Sequence, residues 1–136
     1  MPRLGGLTVI FHSNTTKPLY IQIAEWLENE ILSGNIRPHE RIYSQYQLAE
    51  MFNINPATAA KGLSLLLEEN LVYKKRGLGM FVAEDAQARI QAKRKEITLR
   101  QLIYDVVGEA ANLGVSEEDL IAMIKQAISE RKDGTS

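Results

Sequence analysis

Apolar residues recur at three- and four-residue steps through most of the chain, the pattern of helices with one buried face. After Pro18, the residues Ile23, Ala24, Leu27 and Ile31 share a face while Glu25, Glu28 and Glu30 fall elsewhere. This predicts a first helix, ended by Ser33-Gly34-Asn35. A second helix starts after Ser44, a good N-cap, with Gln47 placed to complete a capping box and with Leu48, Ala49 and Phe52 as its apolar side. Asn53-Ile54-Asn55 reads as a tight turn. Asn55-Pro56 then combines a capping side chain with a ring whose φ is already helical and which has no N–H to leave unpaired. The third helix runs from Pro56 to about Glu69 and buries Ala59, Leu63, Leu66 and Leu67.

The period then changes. Val72-Tyr73-Lys74-Lys75 and Met80-Phe81-Val82-Ala83 are β-favouring runs on either side of Arg76-Gly77-Leu78-Gly79, which reads as a hairpin with a four-residue turn. Three helices, a short turn between the second and third, and a basic hairpin are the layout of a winged helix-turn-helix. In that layout the third helix enters the major groove of DNA and the hairpin lies on the backbone beside it. Everything beyond Ala83 reads as helix. Ala86 to Lys95 is polar and basic; Ile97 or Leu99, then Leu102, Ile103, Val106, Val107, Ala110 and Leu113 form a broad apolar stripe that Gly114 ends. Ser116 with Asp119 restarts a helix carrying Leu120, Ile121, Ile124, Ala127 and Ile128 on one face. Two helices cannot bury two such stripes against each other alone, whereas a pair meeting its twofold mate as a four-helix bundle can. The expected chain is therefore mainly α with a small β element (α+β). It has an N-terminal arm over 1–17 with one β-like run from Thr8 to His12, a winged helix-turn-helix over 18–84, and a two-helix dimerisation segment over 85–136.

Composition narrows the chemistry. Hydrophobic residues at 45% and charged residues at 24% are those of a folded chain. There is no cysteine, hence no disulfide framework and no thiolate zinc site. His12 and His39 are far apart, and Glu117, Glu118 and Asp119 suit the positive end of a helix dipole, so no metal site and no cofactor is expected. No apolar run approaches the roughly 20 residues needed to cross a membrane, and the N-terminus lacks a secretory stretch; a cytoplasmic protein is the expectation. Sixteen Lys and Arg nearly cancel seventeen Asp and Glu, but the charge is segregated. Eight basic residues (Lys74, Lys75, Arg76, Arg89, Lys93, Arg94, Lys95 and Arg100) meet three acidic ones between Val72 and Arg100, and acidic residues dominate from Gln101 onward. Such a strip suits a local polyanion contact, and suits equally a merely solvated helix face.

The residues also resemble a known family, the bacterial transcription regulators of the GntR family, and within it the short YtrA-type subfamily. The resemblance lies in PLYIQIAEWLENEILSGNI at 18–36, LAEMFNINPATAAKGLSLLLEENLV at 48–72 and KRGLGMFVA at 75–83, three motifs in the family's order and spacing. The stretch LIYDVVGEAANLGVSEEDLIAMI at 102–124 is similar to the YtrA-type dimerisation segment. The resemblance implies a homodimeric repressor that binds double-stranded DNA at an inverted repeat and controls its own operon, often one encoding an ABC transporter. Three positions depart from the family. Tyr46 stands where an arginine usually follows a Leu-Pro-Ser stretch, here Ile42-Tyr43-Ser44; Pro56 stands where many members have arginine; and Ala60 replaces a second arginine. The base preference of better-known members therefore does not transfer.

Candidate DNA contacts follow from both readings. Asn55, Ala57, Thr58 and Lys61 occupy polar or small positions near the start of the third helix. Asn55 is first an N-cap and can also meet a phosphate; Ala57 and Thr58 can touch thymine methyls; Lys61 can reach a guanine edge or a phosphate, or simply be solvated. Lys74, Lys75 and Arg76 can neutralise phosphates or, as the family uses the wing, enter the minor groove, with Gly77 required by the turn. Ser44 caps its helix and can meet a phosphate as well, and Tyr46 takes the position of the missing arginine. Tyr20 and Trp26 read as core or interface. No glycine-rich phosphate loop, Ser-His-Asp set or paired carboxylate occurs, so an enzyme is not expected. The rival reading is a winged helix that binds protein and never DNA.

Overall fold

Helix α1 (Leu19–Leu32) starts where the Pro18 carbonyl accepts the Ile21 and Gln22 N–H groups, and it ends in a left-handed Gly34. The computed structural model describes residues 16–134, so apart from Thr16 and Lys17 the expected N-terminal arm, with its Thr8 to His12 run, lies outside the described residues. Ile23, Ala24, Leu27 and Ile31 are buried as their spacing requires. Glu28 is buried too, against the expectation of a polar position, because it sits one turn below Ala24 and one turn above Ile31.

Helices α2 (Gln45–Phe52) and α3 (Pro56–Glu68) are set by local chemistry. The Ser44 and Gln47 side chains each accept the other's backbone N–H, at 3.1 and 2.8 Å, and Asn55 Oδ1 accepts the Ala57 N–H at 2.8 Å. Between them Asn53 takes the left-handed conformation (φ 53°) that ends α2. Helix α3 lies close on α1: a Cβ at Gly62 would stand 3.0 Å from the Tyr20 carbonyl oxygen and 3.2 Å from Ile23 Cγ2.

Strands β1 (Val72–Lys75) and β2 (Gly79–Val82) pair antiparallel, Val72 opposite Val82 and Lys75 opposite Gly79. The turn is thus Arg76 to Leu78, one residue shorter than the run of residue types suggests, because Gly79 joins the ladder at φ 112°. Arg41 extends the sheet by a bridge to Phe81, supported by the Ile42 N–H donating to the Met80 carbonyl at 2.9 Å.

Helix α4 (Ala86–Lys93) places Ala86 and Ile90, both wholly buried, in the same core as Ile23, Leu27, Leu48, Leu66, Leu71 and Val82, and Gln87 donates to the Leu32 carbonyl. The first compact unit runs to Ala92. The second begins at Lys93 and holds a π-helical stretch (Arg94–Leu99), α5 (Arg100–Leu113) and α6 (Glu117–Lys132), with a left-handed Gly114 and a Ser116 cap between the last two. Among its described apolar side chains only Ala110 is buried; Leu102, Ile103, Val107 and Ile128 are each about half exposed and Leu113 is 69% exposed. Among the described residues no helix is long and apolar enough to cross a membrane.

Candidate nucleic-acid interface

The caps and the core together decide what α3 shows to solvent. Ala59, Leu63 and Leu66 are buried, which turns Ala57, Lys61, Ser64 and Glu68 outward along the opposite side, with Thr58 half-buried beside them. The helix is electrostatically graded: Lys61 lies in its N-terminal half, Glu68 and Glu69 at its end. Only the first half can approach a phosphate-lined groove without repulsion. At the start of α2, Tyr46 is 70% exposed, while the Ser44 hydroxyl already accepts the Gln47 N–H and still has its own proton to donate.

Lys61 is held in a way its sequence neighbours do not suggest. Its ammonium stands 4.1 Å above the centre of the Tyr20 ring, on α1. A cation–π contact at an exposed site is worth about 0.5–1 kcal/mol, enough to bias the lysine toward one orientation and too little to keep it from a guanine edge or a phosphate. Tyr20 therefore serves α3 as well as packing, a role visible only once α1 and α3 are side by side.

The hairpin separates the three basic residues expected to act together. Side chains alternate across a sheet, so the face carrying the buried Val72 and Val82 also carries Lys74, whereas Lys75 shares the outward face with Tyr73, Phe81 and Gly79. Lys75 Nζ leans over the Phe81 ring at 4.7 Å. Arg76 and Gly77, with φ 77°, form the exposed tip.

Neutralisation inside the protein sorts the cations further. Arg89 is paired with Asp85 at 2.7 Å, a hydrogen bond that holds the Asp85 carboxyl below its ordinary range, and Arg100 with Glu96 at 3.1 Å. Among the described residues no carboxylate pairs with Lys61, Lys74, Lys75, Arg76 or Arg41. Nothing in the sequence singles out Arg41; it reaches the wing through the pairing with Phe81, a contact between distant segments that no local pattern marks. His39, left-handed at φ 66°, hydrogen-bonds the Tyr73 hydroxyl at 2.9 Å and Glu84 at 2.6 Å, and so braces the wing's base. Among the described residues no His, Asp and Glu gather as a metal site.

Comparison with known proteins agrees with this geometry. The family described as bacterial regulatory proteins, gntR family, matches residues 19–82. The HTH-type transcriptional repressor YtrA of Bacillus subtilis is 26% identical over 120 residues, 88% of this chain and 92% of YtrA. A solved GntR family transcriptional regulator from Listeria monocytogenes is 30% identical, with a TM-score of 0.71 over 85% of this chain and 98% of that one. The DNA-binding domain of AraR, solved in complex with an operator, is 30% identical with a TM-score of 0.51, over 57% of this chain and 96% of its own.

Proposed function

The chain belongs to the gntR family of bacterial regulatory proteins, and on that premise we propose that it is a homodimeric repressor acting at an inverted-repeat operator beside its own gene. It is a DNA-binding transcription regulator, and its match to YtrA over nearly the whole of both chains places it with the YtrA type. The observation that carries the proposal is the set of cations left without an internal counter-ion on α3 and the wing. Lys61, Ala57 and Thr58 face the first base pairs of a half-site, Asn55, Ser44 and Tyr46 lie along the flanking backbone, and Lys74, Lys75, Arg76 and Gly77 meet phosphates at the wing.

Homodimerisation is supported by the uncovered apolar side chains of α5 and α6, among them Leu102, Ile103, Val107, Leu113, Ile124 and Ile128, since exposed apolar patches mark interaction surfaces. Two copies joined there present two recognition helices, and twofold symmetry then requires an inverted repeat. A DNA partner puts its work in the cytoplasm. Fluorescence anisotropy with the duplex upstream of the chain's own gene, against a shuffled duplex, tests the reading. Tighter binding to the upstream duplex with affinity falling steeply as salt rises is expected; equal, salt-independent affinity for both defeats it.

A further inference from the structure

Two cations, Arg41 and Lys75, lie on the outward face of the wing beside Gly79 and Phe81. Arg41 is paired with Phe81 but lies over Gly79, where a Cβ would stand 2.9 Å from the Arg41 Nε and 3.5 Å from its Cζ and Nη2. Lys75 is paired with Gly79 but leans over Phe81, with Nζ 4.7 Å from the ring centre. Each side chain thus covers the other's cross-strand partner. This is possible because Gly79 has no side chain in the way.

Among the described residues no acid compensates the two charges. Glu40, next to Arg41 in sequence, turns its carboxylate to the Arg37 N–H at 2.6 Å, and Arg41 has no ion pair there. Two like charges on one small face without an acid between them repel, and an anion seated between them removes the repulsion. The planar fork of arginine suits the paired oxygens of a phosphate.

We propose that Arg41 is a DNA-contacting residue that forms, with Lys75, a two-cation clamp on a single backbone phosphate at the wing. The proposal rests on the reading of the chain as a DNA binder.

The test is anisotropy with the duplex upstream of the chain's own gene, over a salt series, using the full chain and variants whose melting curves match it. Arg41→Gln keeps the length and a planar end without the charge. It should weaken binding about tenfold or more, and only the loss of both cations, in the Arg41→Gln, Lys75→Gln double variant, should flatten the plot of log affinity against log salt by about 0.9 for each phosphate no longer neutralised. Arg41→Lys, which keeps the charge, should lose less affinity. In the Arg41→Gln, Lys75→Gln double variant the loss should be smaller than the product of the single losses, because both serve one phosphate. Arg41→Met gives the same readout if the glutamine variant melts early. If the natural chain binds the duplex and Arg41→Gln matches it in affinity, the clamp is wrong while the function stands. Equal loss in the Gln and Lys variants, with the slope unchanged in the double variant, would make Arg41 a packing residue and also overturn it. Failure of the natural chain itself to bind DNA removes the functional reading first.

Discussion

Replacing Gly62 by alanine sets two opposed effects against each other, and the structure decides the sign. Alanine is favoured over glycine inside a helix by about 1 kcal/mol. Here the new methyl would meet the Tyr20 carbonyl oxygen at 3.0 Å and Ile23 Cγ2 at 3.2 Å. The oxygen belongs to the backbone of α1 and cannot rotate aside, so α3 must move away from α1. Overpacking of this kind costs about 1–3 kcal/mol, leaving a net loss of up to about 2 kcal/mol after the helical gain. For a unit of this size that lowers the melting temperature by about 4–8 °C per kcal/mol. The displacement has a second readout, because Lys61 rests on Tyr20 across the same contact: DNA affinity should fall along with stability. Thermal unfolding followed by far-ultraviolet circular dichroism, with anisotropy on the same sample, measures both. A Gly62→Ala variant melting at or above the natural chain would refute the claim that the α1–α3 contact is too close for a side chain.

Three further outcomes follow from particular residues. Lys61→Ala should cost about 1–3 kcal/mol on the operator and flatten discrimination at one half-site position, read by a competition panel substituting each base in turn; parallel profiles would make Lys61 a phosphate contact. A chain cut after Ala92 should be a folded monomer with DNA affinity reduced about a hundredfold or more through loss of bivalency, whereas a cut after Ala83 removes Ala86 and Ile90 from the core and should abolish cooperative melting; sedimentation and melting curves separate the two. Burial, and then the nearby negative charge of Glu30, raise the Tyr43 hydroxyl above its ordinary pKa of 10.0, so the fold favours the neutral phenol. That contribution is complete below pH 10.0, where the unfolded tyrosine also stays protonated, and is lost as pH climbs through the higher folded value; urea unfolding at increasing alkalinity should show the decline, and Tyr43→Phe should lack that part of it.

What the sequence made legible was what short-range chemistry decides. The caps at Ser44, Asn55 and Ser116, the proline opening α3 and the stop at Gly114 each act within four residues, and each sits where its residue types place it. The hairpin was legible to within one residue, since the ladder between Lys75 and Gly79, rather than glycine preference alone, decides where the turn ends. Contacts between distant segments were not legible. Lys61 on Tyr20, Arg41 on the wing, Gly62 against α1 and Gln87 on the Leu32 carbonyl depend on how helices are set side by side, which periodicity does not encode. The polar composition of 86–95 suggested a solvated start to the tail, yet two residues of the right spacing, Ala86 and Ile90, suffice to hold α4 to the first core. The basic cluster 74–76 shows the same limit, because adjacent residues in a strand face opposite ways.

On the proposed function, two copies of the chain each lay the first half of α3 and a basic wing on DNA. Hydroxyl-radical footprinting of the full chain on the duplex upstream of its own gene tests it most directly. Two protected patches of equal strength, related by twofold symmetry and centred about 10 base pairs or a multiple of that apart, with weaker protection at the flanks in the Lys75→Gln variant, is the predicted result. A single unsymmetrical patch, or no protection at concentrations where the apolar faces of α5 and α6 have already paired, would contradict it.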